Sequence, residues 1–207
     1  MADDVFTRFH VRYYDSRRAG RLALVTMDNG ADHTRPTVFD QRALASLGDA
    51  LDEIEGQGDV KGLLLTGKPF VFVAGADLTR FEGADEAFAR EAVRTGQGVF
   101  RRLRALPFPT VAAINGACLG GGLEIALHCD VRTLSRSAGP IAFPEVFLSI
   151  LPAWGGTQIA PRVIGAQRAL QVIVHNALDN NRMLRALQAF ELGLADELLE
   201  PVDVFEA

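Results

Sequence analysis

Three consecutive glycines, Gly120-Gly121-Gly122, separate one apolar run, Thr110-Val111-Ala112-Ala113-Ile114-Asn115, from another, Leu123 to His128. The first reads as a buried strand and the second as a short helix. A strand that turns through glycine directly into an apolar helix is the repeating unit of an α/β protein. The turn has a chemical aspect as well. Gly121 lies where a helix begins, so its N–H has no partner within the helix, and the helix dipole adds partial positive charge there. Glycine also lets a ligand approach the backbone closely. Two readings stand side by side: a tight turn that binds nothing, and an amide presented to an oxyanion. A dinucleotide or Walker phosphate loop fits poorly, because the run lacks both the G-x-G-x-x-G continuation and a following Lys-Ser/Thr.

Two carboxylates follow in apolar surroundings. Glu124 stands on the first turn of a helix otherwise built from Leu123, Ile125, Ala126 and Leu127. A glutamate there can simply complement the positive end of the dipole. Glu145 follows Pro144 and precedes Val146, Phe147, Leu148 and Ile150. An acid in such a run is either a loop residue facing water or a half-buried functional carboxyl. As a pair they make mechanistic sense. Two nearby carboxyls with separated pKa values, one ionised and one protonated, can hold a water and move protons beside an enolate.

The rest of the chain fixes the class. Arg21 to Met27 reads as a buried strand ended by Asp28-Asn29-Gly30. Asp40 caps a helix over Gln41 to Glu55, with Leu44, Leu47, Leu51 and Ile54 recurring every three or four positions. Val60 to Thr66 is a second strand, followed by a loop rich in Gly and Phe that leads through Val73 to Leu78. A long amphipathic segment spans Asp85 to Leu106 and stops at Pro107. Val131 to Leu134 is a further strand. Gly155 to Ile164, Ala166 to His175 and Met183 to Leu192 read as helices, the last with Gly193 at its end. The alternation predicts an α/β protein, and 207 residues with 48% hydrophobic content suit a single domain over 1–207.

The net charge of -5 and the lack of a dominant basic patch exclude a general nucleic-acid binder. Arg101-Arg102-Leu103-Arg104 reads as a solvated helix face. Cys118 and Cys129 show neither metal-ligand spacing nor a disulfide framework, which points to a reducing compartment. No apolar run reaches membrane-spanning length, and the acidic start lacks the order of a signal peptide. The expectation is a cytoplasmic protein. Asp77 and Asp130 read as structural, His128 and Cys118 as packing residues.

Four blocks together resemble the crotonase superfamily, the enoyl-CoA hydratase/isomerase family: Ala74-Gly75-Ala76-Asp77-Leu78; Asn115-Gly116 through Gly120-Gly121-Gly122-Leu123-Glu124; Pro144-Glu145-Val146; and Leu151-Pro152 with Gly155-Gly156-Thr157-Gln158. A weaker fifth block is Ala189 to Ala195. Their order and spacing carry the match, and the resemblance implies a domain core in about 20–200. The resemblance implies a spiral of ββα turns with two roughly perpendicular sheets. It implies an enoyl-CoA hydratase that adds water reversibly to a 2-trans-enoyl-CoA, giving a 3-hydroxyacyl-CoA. Glu145 is then the main acid/base and Glu124 orients the water. The amides of Ala76 and Gly121 form the oxyanion hole. Substrate contacts fall to Ala74, Gly75, Asp77, Leu78, Gly120, Gly122, Pro152, Trp154 and Gly155. No metal or redox cofactor is implied, since CoA is part of the substrate. Members commonly form homotrimers or hexamers.

The chain departs from the family pattern in three places. The C-terminal helices that cover the acyl site are missing after Ala207. Trp154 stands where small residues are common, which reshapes the acyl pocket; Phe70 and Phe72 are further candidates to line it. The stretch Asp28 to Thr37, near where the family holds the CoA adenine, is unlike the usual pattern. Contact with CoA phosphates is the lesser reading for His33 and Arg35 within it. The alternatives are another crotonase reaction (isomerisation, hydrolysis or decarboxylation), the hydratase portion of a multifunctional β-oxidation protein, and a non-catalytic acyl-CoA binder.

Overall fold

In the computed structural model, which describes residues 5–32, 35–81, 83 and 85–203, the chain builds two sheets. An antiparallel hairpin of β1 (Arg8–Ser16) and β2 (Gly20–Asp28) forms one edge of the larger, six-stranded sheet. It continues in parallel through β3 (Val60–Gly67), β5 (Thr110–Ile114), β7 (Val131–Ser135) and β9 (Glu197–Leu199). The smaller sheet is β4 (Phe70–Val73), β6 (Gly116–Leu119) and β8 (Ile141–Ala142), also parallel.

Three times the chain leaves a strand of the large sheet, steps across a short connection and adds a strand to the small one. The steps are β3 to β4, β5 to β6, and β7 to β8. Each then leads to helical structure, which gives the ββα spiral. Asn115 makes the crossing rigid. Its Nδ2 donates to the carbonyls of Gly67 (2.9 Å) and Lys68 (3.0 Å), tying one crossing to the other. The backbones approach so closely there that a Cβ on Gly116 would overlap the Phe70 carbonyl group. Only glycine fits such a position.

The helices follow their sequence signals. Helix α1 (Gln41–Gln57) is capped by Asp40, whose Oδ1 accepts from the Ala43 N–H at 2.9 Å. It buries Leu44, Leu47, Leu51 and Ile54 against the sheet, each worth roughly 1.5–3 kcal/mol. Helix α2 (Glu86–Arg104) has Asp85 as its cap, and Arg102 on its outer face pairs with Asp52 and Glu55 of α1. Helix α3 (Gly121–His128) is buried at every residue, and α4 (Gly156–Ile164) follows the Pro152 to Gly155 turn. None of the described helices is long and apolar enough to cross a membrane.

Three expectations need correction. Residues 70–73 are a strand rather than loop, because Phe70 to Val73 is paired along β6. Gly116 to Leu119 is likewise a strand of its own, so the glycine turn begins only at Gly120. The helix expected from Met183 is confined to Ala186–Glu191. Leu184 instead exchanges both backbone hydrogen bonds with Ile141, at 3.0 and 2.9 Å, and this pairing holds its segment extended.

The turn after β2 is organised by Lys68. Its ammonium, almost fully buried, donates to Asn29 Oδ1 and to the carbonyls of Ala31, Asp32 and Arg35 at 2.6 to 3.0 Å. Burial pushes its pKa down, against the opposing charges of Asp28 and Asp32.

Candidate active site

The segment beyond β4 lies between two neighbours, and its hydrogen bonds fix which way each amide faces. On one side, Ala74 N–H donates to Thr37 O, Phe39 N–H to Gly75 O and Asp77 N–H to Phe39 O, at 2.8 to 2.9 Å. Phe39 thus uses both its backbone groups on residues 75 and 77. In a parallel ladder the residue between them turns its own N–H and C=O to the opposite side. Ala76 therefore turns its N–H and C=O away from Phe39. The end of β6 and the start of α3 are close: a Cβ on Gly75 would stand 3.2 Å from Leu119 O and 3.7 Å from the Gly121 nitrogen. Gly120 enters the helix with φ 51°, its N–H bonded to Ala142 O at 2.9 Å, which leaves Gly121 as the first helical amide. Ala76 is half-buried, and the Gly121 nitrogen lies beside the neighbouring Gly75.

Two carboxyl groups flank the same glycine turn. Glu124, 2% exposed, accepts on Oε1 from the amides of Trp154 and Gly156, each at 2.8 Å. Burial pushes its pKa up to about 7, opposed by hydrogen bonds from the backbone of Gly156, Trp154 and Gly155. Glu145 opens the 3-10 helix Glu145–Leu148 and is also buried. Its Oε1 lies so near Gly120 that a Cβ there would come within 2.7 Å, while Oε2 is buried with no hydrogen-bond partner. Burial pushes the Glu145 pKa up to about 8; its own amide lowers it and the charge of Glu124 raises it further. The charge of Glu124 thus bears on the titration of Glu145.

The remaining residues fall around this centre. Pro152 is buried, and its carbonyl accepts from the Thr157 hydroxyl at 3.3 Å. Gly155, at φ 125°, lies against the imidazole of His128. His128 is a packing residue: Nδ1–H donates to Glu124 O at 2.9 Å, the ring meets Phe100 edge-on, and burial lowers its pKa. Gly122 packs on Val73. Asp77 caps the next turn through Thr79, and Leu78 is about half exposed. Asp130 holds the start of β5 by accepting from the N–H and hydroxyl of Thr110. Phe72 is fully buried in the core and Phe70 is largely exposed, so neither takes the channel-lining place expected of it. Arg35 is exposed, and its carbonyl serves Lys68; His33 lies outside the described residues. Phe39, whose backbone orients Ala76, had no signal in the sequence that set it apart from other core aromatics.

Residues 18–207 match the enoyl-CoA hydratase/isomerase family. Among curated relatives, the fatty acid oxidation complex subunit alpha of Shewanella amazonensis is 42% identical over 187 residues, covering 89% of this chain and 26% of that subunit. The subunit of the same name from Idiomarina loihiensis is 39% identical over 86% of this chain and 25% of its own length. The chain thus spans about a quarter of the length of these relatives. Among solved structures, Pseudomonas aeruginosa DspI superposes with a TM-score of 0.83 at 32% identity, covering 100% of this chain and 80% of that one. Enoyl-CoA hydratase from Bacillus anthracis gives 0.83 at 30%, covering 96% and 72%. Human mitochondrial delta3-delta2-enoyl-CoA isomerase gives 0.80 at 26%, covering 95% and 73%. With a two-sheet crotonase-like spiral, and with a match that runs through both glycine-flanked segments and both acids, this chain belongs to the enoyl-CoA hydratase/isomerase family.

Proposed function

We propose that the site hydrates 2-trans-enoyl-CoA thioesters. The observation that carries this reading is the buried pair of acids, Glu124 and Glu145, at the glycine turn that opens α3; the reading takes the amides of Ala76 and Gly121 to border one gap beside them. In this reading the thioester oxygen sits between the two amides. They stabilise the enolate charge without reorganising during the reaction, each worth roughly 3 kcal/mol. Glu124, held by two backbone amides, orients and polarises the attacking water. Glu145, with the higher pKa, is the acid at neutral pH. Its proton goes to Cα as the water oxygen bonds to Cβ, and it takes a proton from that water in return. The enzyme is then unchanged after each turnover, and no metal or redox cofactor takes part. The relatives' link to fatty acid oxidation supports a fatty acyl-CoA as substrate, and their greater length supports this chain being the hydratase portion of a multifunctional protein.

Moving a double bond needs only one proton carrier, so two buried acids at one site favour hydration over isomerisation. Crotonyl-CoA in isotopically labelled water is expected to give 3-hydroxybutyryl-CoA carrying the label at C3. Faster conversion of a 3-enoyl-CoA than of crotonyl-CoA would assign the site to isomerisation instead.

The pair also sets an expected pH profile. Turnover should be highest between about 7 and about 8. It should fall below that window as Glu124 is neutralised, and above it as Glu145 loses its proton. Glu124→Gln removes the charge that raises Glu145, so the alkaline limb of kcat/KM should move to lower pH. Stability follows with its own sign. Both folded-state values exceed the ordinary 4.5, so the native state holds protons that the unfolded chain releases. Stability should therefore decline as pH rises from about 4.5 through about 8.

A further inference from the structure

We propose that the indole of Trp154 is a chain-length gate, walling the acyl site off from an adjoining cavity and restricting this enzyme to short enoyl groups; the inference rests on the hydratase reading above. A cavity of about 460 Å³ lies beside the site, lined on its apolar side by Phe39, Leu44, Phe88, Ala92 and Trp154. Among its described lining residues are none of the four that define the reaction centre, Ala76, Gly121, Glu124 and Glu145. Two rings stand between. A Cβ on Gly121 would come within 2.5 Å of Trp154 Cζ3 and 3.6 Å of Phe39 Cδ2. The same two side chains thus press on the glycine that carries the amide and face the cavity on the other side.

The indole is locked in this position. Its Nε1–H donates to the Ala92 carbonyl of α2 at 3.1 Å, and the ring meets Phe100 edge-on at 5.5 Å. It lies so close to Gly96 that a Cβ there would overlap it. Swinging it aside would break the hydrogen bond and uncover a ring that is only 7% exposed. The division of labour within the residue matters. The backbone N–H of Trp154 holds Glu124, whereas the side chain makes the wall. Trimming the ring therefore keeps the amide that positions the acid.

An acyl group whose carbonyl oxygen sits at the two amides places Cα and Cβ beside the carboxyls, and its remaining carbons run on from there. In this proposal a crotonyl group ends short of the Trp154 ring. A longer tail must pass the wall to reach the cavity. Each methylene that gains an apolar environment improves binding about fourfold, so the gate is a steep discriminator.

The test compares kcat/KM for crotonyl-CoA and trans-octenoyl-CoA in the wild type, Trp154→Phe and Trp154→Ala. The wild type is expected to favour crotonyl-CoA by about tenfold or more. Trp154→Ala should raise the octenoyl-to-crotonyl ratio at least about tenfold, with Trp154→Phe between. Equal use of both substrates by the wild type, or an unchanged ratio in folded Trp154→Ala, overturns the gate. If Trp154→Ala does not fold, the wild-type and Trp154→Phe ratios decide. A readout independent of turnover comes from Trp154 being the sole tryptophan. Butyryl-CoA should shift its emission at concentrations where octanoyl-CoA does not, and equal shifts would sink the gate. Lack of hydration with either substrate would instead count against the hydratase reading, and the fluorescence comparison would still judge the wall.

Discussion

Glu145→Gln is expected to lower kcat for crotonyl-CoA hydration by about a thousandfold and to leave KM nearly unchanged. The carboxamide keeps the size of the side chain but has no proton to exchange at Cα. The loss therefore falls on the transition state rather than on binding. Oε2 is already buried without a hydrogen-bond partner, so no native bond is broken at that atom. Circular dichroism should show a native fold. Glu124→Gln is the informative contrast. The amide oxygen of the glutamine can still accept from Trp154 and Gly156, so the turn that carries them stays in place and only the charge is lost. A smaller fall in kcat, with the shifted alkaline limb, is expected there. Near wild-type turnover by Glu145→Gln would remove this residue from the proton path.

Much of this centre was legible from residue types alone. Apolar periodicity and Asp40 marked α1, and the glycine run marked the start of α3. The two acids drew notice because charge in apolar surroundings needs a reason. Most of what escaped was set by contacts distant in sequence. Strand β1 is the exception: it carries the alternation Phe9, Val11, Tyr13 between polar residues, a period-two pattern that went unread. Strand β4 is a four-residue strand beside a proline, and only its pairing with β6 makes it extended. Leu184 reads as helix until Ile141 claims its backbone. The outward turn of the Ala76 amide depends on Phe39, 37 positions earlier (76 minus 39), and no local pattern encodes that bridge. Trp154 was visible as an oddity; that its ring presses on Gly121 and Gly96 follows only from the packing of α2 on the turn before α4.

Gly122→Ala should damage stability and chemistry together, and the reason is the distance between the two amides. Gly122 lets the first turn of α3 rest directly on the end of β4. A Cβ there would overlap the Val73 carbonyl oxygen and stand 2.9 Å from Val73 Cβ. Neither neighbour is a flexible side-chain tip, so backbone must move. Overpacking of this kind costs about 2–3 kcal/mol, to be read from chemical denaturation. The movement has only two routes. Either α3 retreats and carries the Gly121 amide with it, or the β4 end shifts and carries Ala76. If both amides serve the thioester oxygen as proposed, each route separates them, and losing one such donor lowers kcat by about a hundredfold or more. Gly98→Ala is the control. It lies exposed within α2, and a Cβ there meets nothing within 4 Å. Helix propensity alone should then stabilise the protein by about 0.5–1 kcal/mol, with hydration unchanged. A Gly122→Ala protein as stable and as fast as the wild type would show that the close contact between α3 and β4 does not hold the amides in register.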